Sequence, residues 1–154
     1  MTCHAETLRE LRDPTRSLRH AIPDAWAGFT ALHIAAIAGG ELPSRVKEAA
    51  ALAMAVIKGC DGCIAYHAKA AARAGATPAE VAEMLGVALL MDGGTASVYG
   101  PRAWEAFGEF SGSTAGASPW RDVAPALVEV DHHLGEEAAG AATGADGKRA
   151  ATAG

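Results

Sequence analysis

The sequence predicts an all-α fold, a single-domain bundle of about six helices, and three observations carry that expectation. Half of the residues are apolar but only 5% are aromatic. Alanine supplies much of the rest, a composition that favours helices with small, close-fitting faces. Prolines recur near expected helix starts and glycines near expected stops, the asymmetry that helix ends prefer. No alternating run of β-branched residues competes as a strand.

The helices fall at about 5–12, 23–38, 43–58, 61–74, 77–91 and 95–110. They divide the chain into an N-terminal helical segment 1–22, a helical core 23–110 and a C-terminal extension 111–154. Pro23 and Pro43 suit first-turn positions, while Gly39-Gly40, Gly75 and Gly93-Gly94 suit helix ends. The helix over 43–58 is apolar all round from Ala49 to Ile57, the pattern of a helix enclosed by others. Thr77-Pro78-Ala79-Glu80 reads as a capping box, in which the Thr77 hydroxyl accepts from the Glu80 amide and the Glu80 carboxylate reaches back. After it Val81, Met84, Leu85, Ala88 and Met91 recur at helical spacing and read as core. Gly100-Pro101 predicts a kink or a break in the last helix.

From Ser111 the composition shifts to Ser, Gly and Ala. Trp120, Val123, Leu127 and Val130 are expected to form a short amphipathic piece that docks on the core or on a neighbouring subunit, and disorder is expected from about Gly135.

Charge and length exclude several classes of function. With 154 residues the chain is about one domain long. A formal charge of −5 and no local excess of Lys and Arg argue against a nucleic-acid partner. The N-terminal MTCHAETLRELRDP has no apolar segment of the secretory kind. Runs such as Ala25 to Gly40 fall short of the roughly 18 apolar residues of a membrane span. The expectation is a soluble, cytoplasmic protein. Three cysteines are too few for a disulfide-stapled secreted fold, so a close Cys-x-x-Cys pair points to redox chemistry or metal binding.

That pair lies in GCDGCIAYH, Gly59 to His67. Cys60, Cys63, His67, Ala70 and Ala74 fall at offsets of three, seven, ten and fourteen and share one helix face, expected to point into the protein. Tyr66, Lys69 and Arg73 mark a wetter face. Cysteines at i and i+3 in a first turn are within disulfide reach. The positive helix end favours a thiolate, and His67 can exchange a proton with Cys63. Asp61 would weakly oppose that thiolate. On the preceding helix Glu48 shares a face with Leu52 and Ala55. It is either a partly buried carboxylate that needs a partner, without which burial would raise its pKa, or an ordinary solvated Glu in an early turn.

The chemical rival is zinc held by Cys60, Cys63, His67 and Glu48, but zinc sites usually draw a second Cys/His pair from elsewhere. Cys3-His4 and His132-His133 are the only other candidates, and both read more simply as terminus and solvated turn. The spacing is not that of covalent haem attachment, and a thioredoxin-type pair would require a βαβ setting.

Glu48, eleven residues, Cys60-x-x-Cys63, three residues and His67, followed by Ala71, Gly75 and the Thr77 helix start, resemble the alkylhydroperoxidase D-like core of the carboxymuconolactone decarboxylase superfamily. The resemblance spans about 23–110. It implies an all-helical subunit assembling into homotrimers or homohexamers, a thiol-dependent peroxidase or disulfide reductase acting on hydroperoxides in antioxidant defence, and no bound cofactor or metal. By the same resemblance Cys63 is the peroxidatic cysteine, Cys60 the resolving one, and His67 and Glu48 the proton relay. The reductant in the family can be a lipoyl group, and the partner a peroxiredoxin. Two alternatives stand beside it: a non-catalytic or zinc-binding helical oligomer, and a family enzyme acting on a small organic substrate. Where the alkylhydroperoxidase D pattern has a histidine just before the second cysteine, this chain has Gly62, which bears on partner preference. The decarboxylase branch lacks the cysteine pair.

Overall fold

Alanine dominates what is hidden from water. In the computed structural model, which describes residues 3–112, eleven of the sixteen buried apolar residues are alanines. Larger side chains, Leu52, Val56, Ile64, Val81 and Phe107, fill the spaces between them and are fully buried. Faces that end at Cβ let helix axes approach closely, as the composition leads one to expect.

Seven helices are present among the described residues: α1 (His4–Glu10), α2 (Arg12–Ala21), α3 (Pro23–Ile37), α4 (Ser44–Ile57), α5 (Asp61–Arg73), α6 (Pro78–Asp92) and α7 (Gly94–Phe110). The core is built from the last four. α4 packs against α5, α6 and α7, and α7 also packs against α5 and α6. α1 lies against α5 and α2, whereas α3 packs only lightly on α2 and α4 and buries no residue. The described residues are thus all-helical, as the sequence predicts.

Four expectations need correction. The helix expected over 5–12 is α1, and a further helix, α2, follows it over Arg12–Ala21, the chain passing between them through Leu11 at near-helical angles. Pro14 lies in the first turn of α2, where a missing amide costs nothing. The break at Gly100-Pro101 does not occur. Pro101 is exposed on a continuous α7, and the carbonyl it leaves unbonded can face water while Ala103, Ala106 and Phe107 anchor the opposite side. The stripe on α6 is core only in part: Val81 and Ala88 are buried, but Met91 is 73% exposed, beside the exposed Val87, Leu89 and Leu90. α4 is central but not enclosed, since Met54 is also exposed. The amphipathic piece around Trp120, the disorder expected from Gly135 and the pair His132-His133 lie outside the described residues.

Local bonds set the angles between elements. The capping box at Thr77 is formed in both directions, and Arg45 on α4 pairs with the same Glu80 at 2.9 Å. The Thr77 amide and the Arg45 guanidinium hold the Glu80 carboxyl below its usual range. At the other end Glu109 on α7 accepts from the Cys3 thiol at 2.7 Å and from the His4 and Ala5 amides at 2.9 and 3.0 Å. It therefore caps the start of α1 from another helix, satisfying donors that no local side chain reaches. Partial burial, the largest influence, pushes the Glu109 carboxyl up, but the three donors together outweigh it and leave it lowered.

Two measurements test this packing. Phe107→Ala is expected to cost about 3–5 kcal/mol in urea unfolding, the range for emptying a fully buried aromatic site; a loss under about 1 kcal/mol would contradict its central place. Because the Glu109 carboxyl is depressed in the folded chain, its stabilising effect is complete above the ordinary carboxylate range. It is lost as pH falls from that range through the lowered folded value. Amide exchange at His4 and Ala5 should accelerate in that window, and Glu109→Gln should remove the pH dependence at a cost of no more than about 1 kcal/mol.

Candidate functional site

The site is set by how α4 hands over to α5. The Lys58 amide bonds back to Met54 at 3.1 Å, and Gly59 then turns the chain with φ of +60°. The Gly59 and Cys60 amides return to Val56 and Ala55 at 2.9 and 3.2 Å. A side chain at Gly59 would be strained by that angle and would meet the Tyr99 ring at 3.2 Å. The turn delivers Cys60 as N-cap of α5, its sulfur accepting from the Cys63 amide at 3.3 Å. Cys60 and Cys63 are joined as a disulfide with Cα atoms 5.2 Å apart. Cys3 is a free, exposed thiol remote from this pair in sequence.

The phase of α5 differs from the expected one. The residues that point inward are Ile64, Ala65, Ala68 and Ala71, a stripe that carries the helix's only large aliphatic side chain. Cys63 sits about 100° away from it and is exposed, Cys60 and His67 are half-buried, and Ala74 is exposed. The cysteines and imidazole therefore do not point into the core. Cys63 and His67 edge a surface cleft of about 480 Å³ between α5, α2 and α3, lined also by Tyr66, Arg19, Trp26, Phe29 and His33 among others. Tyr66, assigned by the sequence to the opposite wet face, belongs to this same wall.

Glu48 resolves to the buried alternative. Its residue is 5% exposed, and its Oε2 lies 2.8 Å from His67 Nδ1, joining α4 to α5. A carboxylate so placed accepts from Nδ1–H, which assigns the tautomer and leaves Nε2 as the ring's proton acceptor. Leaving a buried carboxylate without such a partner would cost about 3–5 kcal/mol, the scale of an uncompensated buried charge. Asp61, read as an opponent of the thiolate, is paired with Arg102 of α7 at 3.2 Å, and that guanidinium lies 4.9 Å from the centre of the Tyr99 ring.

Sequence reasoning did not reach the groups that α3 and α2 contribute. His33 Nε2 is 3.3 Å from the Tyr66 hydroxyl, and its ring lies 6.2 Å from that of His67. A histidine alone on the otherwise apolar stretch of α3 was the available signal, but only the fold shows what it meets. Among the described residues no group of three or more His, Cys, Asp or Glu is placed to hold a metal ion, and no helix is long and apolar enough to cross a membrane.

Residues 23–107 match the model of the Carboxymuconolactone decarboxylase family. Among curated relatives, an uncharacterized protein of Cupriavidus necator is 38% identical over 104 residues, covering 67% of this chain and 92% of its own length. Another, named for its position as protein 4 in the cox locus of Paracoccus denitrificans, is 35% identical over 85 residues, covering 55% of this chain and 77% of its own. The crystal structure of the apo form of a carboxymuconolactone decarboxylase family protein from Legionella pneumophila superposes with a TM-score of 0.68 at 36% identity. That match covers 70% of this chain and 96% of the other.

The thiol inventory is open to direct test. Native protein kept from reductant is expected to take up one iodoacetamide, at Cys3, and reduced protein three, with a mass gain of about two hydrogens before labelling. Three reactive thiols without reductant would show that Cys60 and Cys63 are not paired.

Proposed function

The chain belongs to the carboxymuconolactone decarboxylase family, and from that premise we propose that it is a thiol-dependent peroxidase that reduces hydroperoxides through the Cys60–Cys63 couple. The observation that carries the reading is the company Cys63 keeps. It lines a cleft beside His67, whose Nδ1 is braced at 2.8 Å by a buried carboxylate. Cys60 does not line that cleft, which suits a resolving partner better than an attacking one.

In the reduced protein His67 takes the Cys63 proton, directly or through a water, and Glu48 steadies the imidazolium that forms. The α5 N-terminus favours the resulting thiolate. The thiolate attacks the distal oxygen of the hydroperoxide, the O–O bond breaks, and the alcohol leaves with the proton that His67 returns. Cys63 is then a sulfenic acid. The Cys60 thiol condenses with it, water leaves, and the disulfide closes. Two electrons have passed from the two sulfurs to the peroxide. An external dithiol, of the kind a lipoyl group supplies, restores the couple by exchange.

Self-association is part of this proposal. Leu32 and Ile34 on α3 are 67% and 64% exposed, and Leu90 on α6 is 82% exposed. Apolar faces of that kind are support for a homo-oligomer that covers them. A reducing, cytoplasmic setting suits a couple that must be re-reduced at each turnover.

Cys63→Ser is expected to abolish peroxide turnover, whereas Cys60→Ser should still consume one equivalent and stop. His67→Gln should slow the first turnover by about 100-fold or more, the scale of a general base. Multiple turnovers by Cys63→Ser, followed with any peroxide-consumption assay, would overturn the proposal and favour another reaction of the family on a small organic substrate.

A further inference from the structure

The helix that the sequence did not announce, α2, places its arginines around the head of α5. Three clefts share Arg19 as a lining residue. One contains Cys63, a second of about 410 Å³ runs against Gly62 and Tyr66, and a third of about 750 Å³ follows Trp26 toward Ile34. Arg19 lines all three, Arg16 two and Arg12 one. No Asp or Glu lines any of them, although the chain as a whole carries −5.

Arg12, Arg16 and Arg19 share one face of α2 at i, i+4 and i+7. Arg16 is partly neutralised by Asp13 at 3.5 Å. Arg19 has no ion pair among the described residues, and its guanidinium lies 6.0 Å from the centre of the Trp26 ring. Trp26 and Phe29 stand edge to face at 6.1 Å and supply an apolar wall. An uncompensated guanidinium, an aromatic wall and the attacking sulfur therefore line one cleft.

On the basis of the peroxide-reducing reading, we propose that this cleft selects organic hydroperoxides that carry a carboxylate, with Arg19 as the specificity-determining residue that binds the carboxylate. The hydrocarbon part lies on Trp26 and Phe29, and the peroxide group reaches Cys63. The carboxylate takes no part in electron transfer: the distal peroxide oxygen passes to Cys63, and the rest leaves as the hydroxy acid. A small neutral peroxide uses none of these contacts, so the cleft's chemistry is matched to a larger, anionic one.

The test compares cumene hydroperoxide with its para-carboxylate, which share the same tertiary hydroperoxide group and differ only in the carboxylate on the ring. The native chain is expected to show about fivefold higher kcat/KM for the carboxylate, the size an exposed ion pair supports. The ratio should fall toward one in Arg19→Gln, invert in Arg19→Glu, and be kept in Arg19→Lys. A ratio of one or below in the native chain, or a ratio unmoved in Arg19→Gln, overturns the proposal and leaves the peroxidase reading intact. Turnover of neither compound removes the peroxidase reading instead. The anion site is then decided without turnover: 4-isopropylbenzoate should slow iodoacetamide alkylation of Cys63 in the reduced native chain and lose that effect in Arg19→Gln. Absence of protection in the native chain overturns it.

Discussion

The close approach of α4 to α5 is the constraint on which the site depends. A glutamate side chain is short, and to reach His67 Nδ1 at 2.8 Å from the neighbouring helix it needs a thin interface. Ala55, which shares the Glu48 face of α4, and Ala71, one turn beyond His67 on α5, are both buried and keep it thin. Lengthening these faces by even one or two methylenes would overpack the interface, at about 1–3 kcal/mol per site, and would separate the carboxylate from the imidazole. The same alanines that make the core poor in hydrophobic area make the relay geometrically possible. Stability is then carried by a handful of large side chains, Phe107 and Leu52 first among them, and by bonds such as Arg45 to Glu80 that tie helix ends together.

How much of this was legible in the sequence depends on whether the information was local. The helix starting at Thr77 was, because a capping box is complete within four residues. The place of Cys60 and Cys63 at a helix start, within disulfide reach of each other, was, because spacing fixes both, whereas their pairing over zinc ligation is seen only in the structure. Glu48 was half legible: its face could be drawn on a wheel, but its partner lies nineteen residues on and only packing brings the two together. The depth of α5 was misjudged because two stripes one residue apart, one through Cys63 and His67 and one through Ile64 and Ala68, differ by about 100°. In an alanine-rich helix only a single isoleucine distinguishes them. The second N-terminal helix was not legible, since Pro14 breaks a helix in its interior and is harmless in its first turn.

Gly62 gains a physical meaning from that unannounced segment. A Cβ built there would lie 3.0 Å from Leu11 Cδ1, so the glycine is the surface on which the junction of α1 and α2 rests. A histidine at this position, as in the alkylhydroperoxidase D pattern, would claim the space that Leu11 fills. The two arrangements are competitors: a side chain on α5 beside the second cysteine, or an N-terminal helix pair laid over the first turn. Choosing the second brings Thr15 and Arg19 to the cleft wall, so the loss of one polar group on α5 is accompanied by the gain of others from α2.

Redox change at this site asks little of the backbone. With Cys60 at the N-cap and Cys63 three residues on, the Cα atoms are 5.2 Å apart, inside the usual range for a disulfide of about 4.4–6.8 Å. The bond can therefore close or open within one helical turn, by side-chain rotation, while the Gly59 turn and the buried face of α5 stay fixed. The cap survives both states, since a thiol or thiolate sulfur at Cys60 can still accept from the Cys63 amide. Arg102 on α7, paired with Asp61, offsets the one negative charge in that turn and so lessens its opposition to a Cys63 thiolate. Because the pair is exposed, its effect is at most about 1 kcal/mol. The larger share of thiolate stabilisation falls to the helix end and to His67, the groups whose positions the α4–α5 interface already holds.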